Sequence, residues 1–151
     1  MVEHRIRDRT DVYGARHMLK TVAHGIGFGR RECEELAIVV SELASNILKY
    51  GVRGSIRIEA IADPADGIMI VARDYGPPFH DLEMALKDGY DDRGPIDPGL
   101  LMKRGGIGAG LGAITRLTHS FRVDQLADGK SIEVVRYRRR LSRRPRSSRR
   151  P

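Results

Sequence analysis

Between Arg30 and Tyr50 the chain repeats apolar residues at helical spacing. Leu36, Val39, Val40, Leu43 and Ile47 form one stripe, and Gly51 follows as a stop signal. A stripe of that length needs a second layer to cover it, and the next segments supply one. Ser55 to Ala62 alternates with period two, and Gly67 to Asp74 is a denser apolar run. Pro64 to Gly67 forms the turn between them, so the two read as a β-hairpin. Helices packed on a sheet are therefore predicted.

The flanking segments extend both layers. Residues 2 to 7 alternate loosely and read as a short edge strand. A helix follows, with Thr10 and Asp11 as suitable caps, apolar positions from Val12 to Ala23, and Gly25 and Gly27 at its end. One or two helical turns are expected over Asp81 to Leu86. From Lys87 to Gly106 periodicity is lost among Gly, Pro and Asp, and a loop that long inside a compact domain reads as a mobile lid over a ligand. A helix over Gly110 to His119 comes next. Strands over Ser120 to Gln125 and Ser131 to Arg138 then flank a turn at Asp128 and Gly129.

With 151 residues, 40% of them hydrophobic, the chain fits one domain with one core. It has no Trp, so that core rests on aliphatic side chains. The formal charge of +7 suggests a nucleic-acid binder until the basic residues are located. Residues 136 to 151 hold nine Arg and no acid, which leaves 7 − 9 = −2 for residues 1 to 135. Residues 1–138 are expected to form the domain and 139–151 a disordered Arg-rich tail, with nucleic-acid contact limited to nonspecific binding by that tail. Cys33 has no partner for a disulfide, and no Cys/His spacing suits structural zinc. The charged N-terminus and the absence of a ~20-residue apolar run predict a cytoplasmic protein without membrane contact.

Three groups of residues suggest chemistry. Glu42, Asn46 and Lys49 project from one side of the long helix: a carboxylate base, a hard oxygen ligand and a mobile cation, although an ordinary solvated face has the same spacing. Asp74-Tyr75-Gly76-Pro77-Pro78 closes an apolar strand, where Asp can accept from an exocyclic amine and Gly admits a ring, or where a Pro-rich turn simply ends the strand. Gly105 to Gly112 places five glycines in eight residues before a helix and can aim N–H groups at phosphates. It lacks both the Rossmann and the Walker pattern.

In that order, SELASNILKYG, VARDYGPP, a long loop and GGIGAGLGAITRL resemble the N box, G1 box, lid and G2 box of the GHKL ATPase/kinase superfamily, over nearly all of residues 1 to 138. The nearest likeness is to the RsbT and RsbW type of switch kinases and anti-sigma factors. The resemblance implies an α/β two-layer sandwich, with a mixed, mostly antiparallel sheet covered by helices on one face. It implies a serine/threonine kinase of a bacterial partner-switching pathway that uses ATP and Mg²⁺. Glu42 would be the base, Asn46 the Mg²⁺ ligand, Lys49 a phosphate contact, and Asp74 and Gly76 the adenine site. Gly106, Gly108, Gly110 and Leu111 would wrap the phosphates.

The implied acceptor is an antagonist protein of the STAS-like kind, and the oligomeric state, monomer or homodimer, stays open. The sequence departs from the G1 box where a further glycine is usual and Pro78 stands. Pro removes a donor and fixes φ, a change that favours the alternative of a nucleotide-loaded docking regulator of a sigma factor or phosphatase without phosphoryl transfer.

Overall fold

A computed structural model of the chain describes residues 1–50, 52–86, 90–91, 94–95 and 110–138. In chain order the elements are β1 (Val2–Ile6), α1 (Arg9–Ile26), α2 (Arg30–Tyr50), β2 (Gly54–Ile61) and β3 (Gly67–Asp74). They continue with α3 (Leu82–Ala85), β4 (Tyr90–Asp91), β5 (Gly94–Pro95), α4 (Leu111–Leu117), β6 (Ser120–Leu126) and β7 (Gly129–Tyr137). Five strands make one sheet in the order β1-β2-β3-β7-β6, antiparallel in every ladder. The expected edge strand, long helix and hairpin are all present.

Strand alternation decides which side of the sheet is covered. Ile56 and Ile58 of β2, Ile68, Ile70 and Ala72 of β3, and Ile132 and Val134 of β7 are buried on one face. Against them α1 places Ala15, Leu19 and Ala23, and α2 places Leu36, Val39, Val40, Leu43 and Ile47. Each fully buried Leu or Ile contributes roughly 1.5–3 kcal/mol relative to an exposed one, so this apolar layer provides most of the drive for folding. The result is a two-layer sandwich.

Helix ends explain where α1 lies. The N-cap is Asp8 rather than Thr10 or Asp11. Its carboxylate accepts the Asp11 N–H at 3.1 Å, while the Asp11 carboxylate accepts the Asp8 N–H at 3.3 Å, a reciprocal capping box. Gly27 ends the helix at φ 98, a left-handed conformation that glycine adopts without strain. Gly25 stays inside α1.

Two further differences concern the middle of the chain. The segment read as structureless from Lys87 contains the short β4–β5 ladder, and the rest of the proposed lid lies outside the described residues, as does the tail beyond residue 138. The helix after the glycines stops at Leu117 because Thr118 is extended, and the His119 N–H bonds to the Val135 carbonyl at 2.8 Å, which starts the sheet again. Among the described residues no helix is long and apolar enough to cross a membrane.

Candidate functional site

Glu42 stands midway along α2 and is only 8% exposed. It lines a groove of about 370 Å³ between α1 and α2, with Lys49 two turns further on and Arg9, Arg16, Ser41 and Ser45 also at its wall. A carboxylate placed there can take a proton from a hydroxyl brought into the groove. Asn46 is one turn from Glu42 but about 40° further round the helix. It is half-buried and does not line the groove. Among the described residues no hydrogen bond engages its amide, which leaves the oxygen available to a ligand.

Asp74 is the last residue of β3 and is 3% exposed. The β3–β7 register sets it directly opposite Lys130, which is 1% exposed. Asp74 Oδ1 accepts from the Gly76 N–H at 2.8 Å and from Lys130 Nζ at 3.0 Å. Lys130 Nζ also donates to the Pro77 carbonyl at 2.9 Å and lies 5.3 Å from the centre of the Phe79 ring. The Phe79 N–H in turn donates to Gln125 Oε1 at 3.1 Å. Side chains from β6 and β7 therefore hold the turn after β3, on which Pro78 is exposed. Gly76 is buried, and with Tyr75, Pro77 and Pro78 it lines a separate hollow from the groove beside Glu42.

Gly110 is the N-cap of α4 at φ 65, a conformation that favours glycine. Leu111 begins the helix and is buried in the core. Gly106 and Gly108 lie outside the described residues. Helix α2 packs against both α4 and β3, so the three sequence motifs belong to touching elements.

Lys130 is the residue that sequence reasoning missed. Its signal was its phase: Lys130, Ile132, Val134 and Arg136 share the inward face of β7, and a cation in that register needs a buried acid. The strand expected from Ser131 begins at Gly129 and so takes in Lys130. Arg136, counted with the basic tail, is likewise part of the fold. It pairs with Glu35 at 2.6 Å and with Glu32 at 3.7 Å, and it donates to the Leu117 carbonyl at 3.2 Å, tying β7 to α2 and α4. The Arg136 hydrogen bond to Glu35 holds the Glu35 carboxyl below its ordinary value. Burial pushes the Cys33 thiol up, consistent with a packing residue rather than a nucleophile.

Residues 7–136 match the histidine kinase-like ATPase domain family. The chain belongs to that family, as an RsbT-like GHKL kinase. It is 33% identical over 137 residues to the serine/threonine-protein kinase RsbT of Bacillus subtilis (strain 168), a match covering 89% of this chain and 95% of that one. Among solved structures it is similar to a chain of the SiaB-SiaC complex from Pseudomonas aeruginosa. The TM-score is 0.57 at 13% identity, over 90% of this chain and 89% of that chain, a likeness of fold. This RsbT-like kinase is thus a nucleotide-binding enzyme of the serine/threonine type.

Proposed function

We propose that this RsbT-like kinase moves the γ-phosphoryl group of ATP to a serine or threonine of an antagonist protein, of the STAS-like kind, in a bacterial partner-switching pathway. The observation that carries the reading is Glu42, a nearly buried carboxylate that opens on a groove bordered by basic and hydroxyl side chains. In this reading the acceptor hydroxyl lies against Glu42, which takes its proton as the new O–P bond forms. The bond between the β-phosphate oxygen and the γ-phosphorus breaks, and ADP leaves with that electron pair.

Asn46 would hold Mg²⁺, whose chemistry when bound is to neutralise phosphate charge. Its uncommitted amide oxygen fits that role. Lys49 adds a cation for the phosphates. Asp74 accepts the adenine amine, and Gly76 allows the ring to approach. Gly110 and Leu111, at the start of α4, would present backbone N–H groups to the phosphate chain, and the resemblance assigns Gly106 and Gly108 to the same role. The catalytic unit is residues 1–138, with 139–151 as a tail outside the reaction. The kinase works as a homodimer in the cytoplasm.

Incubation with Mg·ATP and a purified STAS-like antagonist protein tests the reading. Phosphoserine or phosphothreonine in that antagonist, detected by mass spectrometry, is expected from the native chain and not from Glu42→Ala. Calorimetric ATP binding with no transfer from either protein contradicts it and supports the docking regulator that Pro78 favours.

A further inference from the structure

The groove beside Glu42 carries more positive charge than proton transfer requires. Among the described residues its walls hold Arg9, Arg16 and Lys49 against a single carboxylate, Glu42. Residues 1 to 135 as a whole are slightly acidic, so this basic groove is a local feature and not part of a generally basic surface. Its floor is apolar, with Val12 and Leu48 packed against the core, and the exposed ring of Tyr13 stands at its rim. A site that is apolar below and cationic at the sides matches a segment of polypeptide carrying carboxylates.

The two arginines come from α1, whereas the nucleotide motifs lie on α2, on β3 and at the start of α4. Asn46, assigned to Mg²⁺, is turned out of the groove. The α1 wall therefore serves what is brought to Glu42 rather than the nucleotide. Arg16 is half-buried, and among the described residues it makes no hydrogen bond or ion pair. It does not hold α1 to α2. Lys20, one turn further along, does so by reaching Glu34 at 2.7 Å. A half-buried guanidinium without a partner gains most from a carboxylate that approaches it.

Helix geometry sets the length of the occupant. Residues 27–29 join α1 to α2, so the helices are antiparallel neighbours. Arg16 and Glu42 both stand near the middle of their helices, and Arg9 and Lys49 share one end of the groove. Seven residues separate Glu42 from Lys49, and seven separate Arg9 from Arg16, a rise of about 10 Å in each helix. An extended chain covers that distance in about three residues. We infer that Arg16 is a substrate-docking residue of this kinase: it pairs with a carboxylate within about three residues of the acceptor serine or threonine, so that the groove selects an extended acidic segment. This inference rests on the kinase reading above and adds to it the chemistry of the protein substrate.

Steady-state phosphorylation of a purified STAS-like antagonist by the full chain, with the modified residue mapped by mass spectrometry, tests the assignment. Arg16→Glu should raise the KM for the antagonist about tenfold or more, as expected for the loss of one charge-assisted hydrogen bond, and leave the KM for ATP unchanged. Arg16→Lys keeps the charge and should recover part of that loss. Changing the acidic residue nearest the mapped site to Arg should weaken the antagonist for the native kinase, and Arg16→Glu should relieve the defect, a charge swap that a structural role for Arg16 would not produce. The antagonist variants keep the native kinase decisive if Arg16→Glu does not fold. If the native chain transfers phosphate but the antagonist KM is unchanged in Arg16→Glu, or the mapped site has no Asp or Glu within about three residues, the docking assignment is overturned and the kinase reading stands. A rise in the KM for ATP instead would place Arg16 with the nucleotide and equally overturn it. If the native chain transfers nothing to the antagonist, the kinase reading fails and takes the inference with it.

Discussion

Glu42 and Asp74 are both nearly buried carboxylates, yet their surroundings differ. Glu42 projects from the middle of a helix into a groove, where an incoming group can reach it. Asp74 ends a central strand, opposite a buried lysine, with one oxygen already occupied by two donors. The first is arranged to accept something transient, and the second to hold a fixed direction. A proton acceptor must meet its partner during reaction, whereas a recognition group does best when immobilised beforehand. The difference between the two regions is thus one of accessibility against preorganisation.

Removing each carboxylate should expose that contrast in stability first. Asp74→Ala leaves the Lys130 ammonium buried without its carboxylate and should cost about 3–5 kcal/mol in urea unfolding. If the loss is under about 1 kcal/mol, the pair does not hold the strand ends together. A smaller effect is expected next to the pair. Gly129→Ala puts a Cβ into the Asp74 carbonyl at a φ that L residues rarely adopt, so about 1–3 kcal/mol should be lost in the same assay. Unchanged stability would show that the β6–β7 turn relaxes away from Asp74.

The smallest effect lies far from both carboxylates. Glu35 has its carboxyl held low chiefly by the Arg136 hydrogen bond. Its contribution is therefore full above the ordinary glutamate value of 4.5 and is lost as pH falls through the depressed folded value. Native stability should decline as pH drops from 4.5 toward the depressed value, and Glu35→Gln should flatten part of the decline in acid titration of the unfolding midpoint. An identical slope in the variant would assign the decline to other acids.

Much of this arrangement was readable in advance, for reasons visible at particular residues. The stripe from Leu36 to Ile47 and the alternation from Ile56 to Ala72 are local patterns, and the elements end within a residue or two of where they were expected. Helix α1 was read correctly but its cap was not, because Asp8, Thr10 and Asp11 are all capable caps and only geometry distinguishes them. The Asp74–Lys130 pair depends on β3 and β7 meeting in one register across 56 residues of sequence, and periodicity within either strand carries no such information.

The same holds for the basic end of the chain. Composition groups Arg136 and Arg138 with the arginines that follow. Strand pairing instead brings Arg136 to Glu32 and Glu35, and Arg138 to Asp66 at 3.3 Å. Of the site residues, Glu42, Asn46, Lys49, Asp74 and Gly76 were legible as motif members. Their orientations were not: a spacing of four and then three residues groups Glu42, Asn46 and Lys49 on one side, while the groove takes Glu42 and Lys49 and leaves out Asn46.

In the proposed reaction Glu42 does the chemistry and Asp74 the recognition, and steady-state kinetics of the two variants tests this most directly. With the antagonist as acceptor, Glu42→Gln should lower kcat by about 10²–10⁴-fold with little change in the KM for ATP. Asp74→Asn should raise that KM and largely preserve kcat at saturating ATP. Native kcat in Glu42→Gln, or both variants changing the same constant alone, would contradict the division of labour.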